Sequence, residues 1–156
     1  MTIRVALDTV VLAALLDSRD KWHQPAVAIR DSLKSVEAEI FYLDPVINEV
    51  VSVLARRLGE QRRGDQFVLL LDQLQRLIPA DKITWVSPLA ERLYPAVLAL
   101  VRQYKGELNF HDALISLGCR EFGIEYIASF DCDFDHIDWL TRITNPDDVK
   151  DAVKNE

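Results

Sequence analysis

Ile3-Arg4-Val5-Ala6-Leu7-Asp8-Thr9-Val10-Val11-Leu12-Ala13-Ala14-Leu15-Leu16 is the stretch on which the fold class turns. Its first five residues are short and rich in β-branched side chains, the pattern of a buried strand. The run 10–16 is too apolar for a surface helix and reads as a buried one, with Asp8 and Thr9 near its N-terminus. A strand that passes through an acidic residue into a buried helix opens an α/β unit.

The same succession recurs along the chain. Pro25 suits the first turn of a helix over 24–36. Residues 39–43 read as a second strand, and Asp44-Pro45 opens a helix with Asp44 as cap and Pro45 at the first helical position. Val46, Ile47, Val50, Val53 and Leu54 form its apolar stripe, with Glu49 among them about a turn in. Phe67, Leu70, Leu71, Leu74 and Leu77 mark another amphipathic helix. Residues 83–86 look like a third strand, followed by a helix opened by Ser87-Pro88 and ended near Gly106. Asn109 caps the next helix and puts Asp112 at its third position, as in a capping box. Gly123 ends that helix, and residues 124–128 form a fourth strand leading to Ser129-Phe130-Asp131. A further short helix or strand falls within 137–143, and 147–156 is polar and expected to fray. Alternating strands and helices predict a three-layer α/β/α sandwich with a mainly parallel central sheet. One domain is expected over residues 1–146, with 147–156 as a polar C-terminal tail.

At 156 residues the chain can bury a core without a staple. It has no uninterrupted apolar run of 18 residues, so no membrane span is expected, and Asp8 breaks the first apolar run too early for a signal peptide. Cys119 and Cys132 fit no metal spacing and no disulfide framework; both are expected to be reduced, in a cytoplasmic protein. The formal net charge of −7 argues against a passive nucleic-acid binder. Against that total, 55–64 gathers Arg56, Arg57, Arg62 and Arg63 around a single acid, Glu60. This segment reads either as a solvated turn between helices or as a phosphate-binding patch.

Four acids follow strands or sit near helix starts: Asp8, Glu49, Asp112 and Asp131. In open α/β sheets, ligands bind beyond the C-terminal strand ends. If strands one, two and four are neighbours, all four acids can converge there. Carboxylates so close repel one another and raise a pKa unless a cation intervenes, and hard ions such as Mg²⁺ or Mn²⁺ prefer oxygen ligands. For any one Asp the plainer reading is a helix cap or dipole partner, whereas a charge on the apolar Glu49 segment is harder to place. The run 131–136 is no calcium loop, because His136 and Arg142 stand where Gly and Glu are needed. His111, His23 and His136 read as solvated or packed, and Trp22, Trp85 and Trp139 as core or rim residues rather than a base-stacking platform.

The order of these motifs resembles the PIN-domain ribonuclease family, in particular the VapC-type toxins of toxin–antitoxin pairs. The resemblance rests on Val5-Ala6-Leu7-Asp8-Thr9, on Glu49, on Phe110-His111-Asp112-Ala113-Leu114-Ile115 and on Ser129-Phe130-Asp131-Cys132-Asp133-Phe134. It covers nearly the whole chain. It implies that Asp8, Glu49, Asp112 and Asp131 are both catalytic and metal-binding, with Mg²⁺ (or Mn²⁺) as cofactor. It also implies that the Thr9 and Ser129 hydroxyls support the site, and that Asp133 shares or replaces the role of Asp131. The implied activity is endoribonucleolytic hydrolysis of RNA phosphodiester bonds by a metal-activated water, with Arg56, Arg57, Arg62 and Arg63 contacting RNA. The implied partners are a small antitoxin and a second copy of the chain. Val10 stands where the family often has a polar residue, and Ser129 where it has Thr. Two other functions compete: a non-catalytic PIN-like interaction module, which the acidic balance favours, and an aspartate-dependent phosphatase using Asp8. The phosphatase needs a second acid at position 10, which is Val10.

Overall fold

A computed structural model describes residues 2–155. Five strands form one wholly parallel sheet: β1 (Arg4–Leu7), β2 (Glu39–Leu43), β3 (Ile83–Thr84), β4 (Tyr126–Ala128) and β5 (Thr141–Ile143). Their spatial order is β3-β2-β1-β4-β5, so the first, second and fourth strands are neighbours, the arrangement that convergence of the acids requires. Val5 lies opposite Ile40 on one side and Tyr126 on the other. The helices are α1 (Thr9–Leu16), α2 (His23–Ser35), α3 (Asp44–Glu60), α4 (Phe67–Leu77), α5 (Ala90–Gln103), α6 (Phe110–Glu121) and α7 (Pro146–Asn155).

Strand periodicity divides the interior in two. Ala6 and Ile127 point into a core shared with α3, α4, α5 and α6. Val5, Leu7, Tyr126 and Ala128 point into a second core with α2 and α7. Helix α1 feeds both, through Leu12, Ala13 and Leu16 on one side and Val11 and Ala14 on the other. This explains why residues 10–16 carry no polar face. The expected three-layer sandwich is the observed architecture.

Three local expectations need correction. The segment 147–156 does not fray within the described residues: α7 buries Val149 and Ala152 against the α2 side of the sheet. Two apolar residues spaced three apart are enough to dock a polar helix. The third strand is only two residues long, because a 3₁₀ turn at Ser87–Leu89 takes over soon after it. Asp44 is not the cap of α3 but its first residue, and the capping position falls to Leu43. Its buried carboxylate instead accepts from the backbone N–H groups of Val86 and Ser87 and from the Ser87 hydroxyl. This tether sets the chain after β3 against α6, where Gly118 leaves the needed room. A Cβ there would lie 2.8 Å from Val86 Cγ2, so the usual helix penalty of glycine is accepted for close approach. Replacing Asp44 with Ala leaves the buried Val86 N–H without an acceptor and frees Ser87, a loss of about 1–3 kcal/mol. Urea denaturation should show a lower midpoint with an unchanged slope; a wild-type midpoint would refute the tether.

Candidate functional site

The parallel ladder delivers Asp8 and Ser129 to the same edge. Asp8 follows β1, and its N–H continues the ladder to Ala128 C=O at 3.0 Å. Ser129 follows β4 and donates its hydroxyl to Asp8 Oδ2 at 2.7 Å. The same Ser129 oxygen accepts the backbone N–H of Asp131 at 3.0 Å. One hydroxyl thus fixes both acids. Asp8 occupies the N-cap position of α1 but makes no capping hydrogen bond with its side chain.

Thr9, the first residue of α1, donates to Glu49 Oε2 on α3 at 2.7 Å. Glu49 Oε2 also lies 3.2 Å from His111 Nε2. That nitrogen is buried and has no well-aligned hydrogen-bond partner among the described residues. Asn109 caps α6 by accepting the Asp112 N–H at 2.8 Å. The reciprocal half of a capping box is missing, since the Asp112 carboxylate makes no hydrogen bond among the described residues. It turns instead into a cleft of about 580 Å³, which it lines with Asp8, Thr9, Glu49, Asn109 and Asp131.

Arg56 and Arg57 stand at the wall of this cleft. Arg56 is exposed and forms no salt bridge among the described residues; Arg57 is held by Asp20 at 2.8 Å. Arg62 and Arg63 do not line it. Arg62 is exposed with φ +55°, and Arg63 makes a two-point ion pair with Asp17, at 3.0 and 2.8 Å. Of the two neighbouring acids, Asp131 lines the cleft and Asp133 does not. Asp133 donates its N–H to Asp131 Oδ1 at 2.9 Å, a cap on the following 3₁₀ turn.

Crowding shows in the acidities. Burial, above all, pushes Asp8 from the ordinary 3.8 up to about 6; the Ser129 hydroxyl opposes this, and the charges of Glu49 and Asp131 add to it. Burial also leads in raising Asp112 to about 7, reinforced by the charges of Asp8, Asp131, Glu49 and Asp133. A site that resists its own ionisation favours a counter-cation. The donor set is all carboxylate oxygen, which suits Mg²⁺ or Mn²⁺. Among the described residues, only Asp131, Cys132 and Asp133 bring three potential ligand atoms, two carboxylate oxygens and one thiol sulfur, within 4.8 Å of one another. The cleft acids are spread more widely, a spacing that fits an ion keeping part of its water shell.

The sequence reading missed the Glu49–His111 contact. Its only signal was that His111 shares the first turn of α6 with Asp112.

The PIN domain family profile matches residues 5–140. A comparison with curated proteins found no match. Among solved structures, the chain is similar to VapC20 of Mycobacterium tuberculosis, described as a sarcin–ricin loop cleaving toxin: 24% identity, TM-score 0.64, covering 86% of this chain and 95% of that one. It is similar to FitAcB from Neisseria gonorrhoeae at 20% identity and TM-score 0.68, with 91% and 97% covered. VapBC2 from Rickettsia felis, solved with a DNA fragment from its promoter, shares 12% identity at TM-score 0.56, with 89% and 98% covered. At these identities the likeness is one of fold.

The raised pKa values of Asp8 and Asp112 carry a pH prediction. Asp8 and Asp112 bind protons in the folded chain at pH values where an unfolded aspartate, near 3.8, has lost them. Stability without metal therefore falls as pH rises from about 4 through 7. Asp112→Asn removes a charge but keeps the shape. In chelator at pH 7.5 it should melt above wild type, with the gap closing by about pH 4. Equal melting curves at both pH values would show that the acids do not strain the fold.

Proposed function

The chain belongs to the PIN-domain family, and from that premise we propose that it is a metal-dependent endoribonuclease hydrolysing RNA phosphodiester bonds, the toxin of a type II toxin–antitoxin pair. The observation that carries this reading is the meeting of Asp8, Glu49, Asp112 and Asp131 around one open cleft with arginines on its wall. These four acids would hold Mg²⁺ or Mn²⁺. When bound, such an ion supplies a water of lowered pKa and a counter-charge for phosphate oxygens.

The chain's own groups divide the remaining work. Ser129 holds Asp8 through one carboxylate oxygen, Oδ2. Thr9 does the same for Glu49. Asp112 is positioned through its backbone by Asn109, so its carboxylate stays available. Arg56 and Arg57 place the RNA backbone by attracting phosphate, which orients without reading sequence. This local positive wall offsets the acidic total. Activity in the cytoplasm, a small antitoxin and a homodimer belong to the same proposal. In its support, a protein of this fold is described as cleaving the sarcin–ricin loop, and no helix among the described residues is long and apolar enough to cross a membrane.

The net charge of −7 favours a second reading, a non-catalytic module for a protein partner. Metal binding separates the two. Mn²⁺ at about 100 times its Kd should stabilise the wild type by about 2.7 kcal/mol, and Asp112→Asn should lose most of that gain. No shift in melting temperature at millimolar Mn²⁺ would favour the module.

Cleavage of labelled single-stranded RNA gives the direct test. Asp8→Asn and Asp112→Asn should abolish it with circular dichroism unchanged. Ser129→Ala and Thr9→Val, which release a carboxylate without removing it, should cost about 10–100-fold. Normal metal-dependent cleavage by either Asn variant would sink the assignment.

A further inference from the structure

Beside the acidic cleft lies a second depression, of about 770 Å³, that the nuclease reading leaves unused. Arg57 lines both, so the two depressions adjoin at its side chain. Trp22 and Lys21 form part of its wall. Trp22 is 36% exposed, although it is a large apolar side chain. Its ring stacks on Phe130 with centroids 4.6 Å apart and planes 17° from parallel. Phe130 sits between Ser129, which holds Asp8, and Asp131, which lines the cleft. Phe130 thus joins the aromatic pair to the segment that carries Ser129 and Asp131.

The turn that carries Trp22 is pinned at both ends. Asp17 is clamped by Arg63. Asp20 accepts the Trp22 N–H at 2.8 Å through one oxygen and Arg57 through the other. These bonds hold the indole in place before anything binds, which lowers the cost of binding. They also use up both acids of the turn. Arg19 and Lys21 are left exposed and form no salt bridge among the described residues; the Lys21 ammonium lies 5.6 Å from the Trp22 ring centroid. Two cations without an acidic partner among the described residues, one of them seated over the indole, are a local reversal of charge in an acidic chain.

We propose that the Trp22–Phe130 stack is a base platform for single-stranded RNA, next to the cleft, with Lys21 and Arg19 holding the flanking phosphates. The platform rests on the nuclease reading and extends it: the substrate is an unpaired segment whose base can be splayed onto an aromatic face. Stacking on a side chain is tolerant of sequence, because every base has a π-face. The site therefore selects for single strands rather than for one base.

The test is fluorescence anisotropy with full-length chains carrying Asp112→Asn, so that the RNA stays intact, in Mg²⁺. The probes are a short single-stranded RNA and an abasic strand of equal length. Adding Trp22→Ala should weaken RNA binding about ten-fold and leave abasic binding unchanged. Trp22→Phe should restore most of the affinity. Lys21→Ala should weaken both probes and lower the salt dependence by about one phosphate contact. Thermal melting verifies that each variant folds, and Lys21→Ala and Trp22→Phe carry the test if Trp22→Ala does not. Unchanged RNA affinity in Trp22→Ala overturns the platform while the nuclease reading stands. No RNA binding by the parent chain overturns both. Unchanged RNA affinity with an altered oligomeric state would assign the aromatic face to a second copy of the chain.

Discussion

Like charges held at one edge of a parallel sheet are the constraint on which this molecule is organised. Asp8, Glu49, Asp112 and Asp131 line one cleft, and burial and mutual repulsion raise the pKa values of two of them, Asp8 and Asp112. A fold could relieve this strain by pairing each acid with an arginine. Here the acids are restrained by uncharged donors instead: the hydroxyls of Ser129 and Thr9 and, through the backbone of Asp112, the Asn109 amide. Hydroxyls fix direction without neutralising charge, so the cleft keeps its negative potential. That potential is what a cation site needs.

The arginines are distributed accordingly. Arg4 ties β1 to the end of α6, donating to Phe122 C=O at 2.7 Å and Gly123 C=O at 3.0 Å. Arg63 clamps the turn after α1. Arg57 bridges that turn and the cleft wall, while Arg56 lines the cleft with no salt bridge among the described residues. One stretch of the chain thus contains both structural arginines and arginines available to a phosphate, and spacing alone does not distinguish them. What separates them is which face of α3 and its following turn each one occupies.

Much of the fold was legible because periodicity depends on local physics. Residues 39–43 and 67–77 coincide with β2 and α4. The all-apolar run after Asp8 announced a helix buried on both sides. Helix α7 was hidden by its polar composition, since only Val149 and Ala152 anchor it. Asp44 was misread because Asp-Pro before an apolar run has the form of a helix cap; its actual partners, Val86 and Ser87, lie some forty residues away. The exposed Trp22 was read as a core or rim residue, and only its stacking on Phe130 shows that it is ordered at the surface.

The chain's own residue pattern determined the alternation of strands and helices, the parallel sheet and the acids that follow its strands, because side-chain period and helix-start chemistry act within a few residues. Only the tertiary structure decided that β2, β1 and β4 are neighbours, that Asp131 rather than Asp133 lines the cleft, and that Arg56 and Arg57 rather than Arg62 and Arg63 stand beside it. Those outcomes depend on crossover packing and on hydrogen bonds between distant segments, such as Ser129 with Asp8 and Thr9 with Glu49. No local preference encodes them.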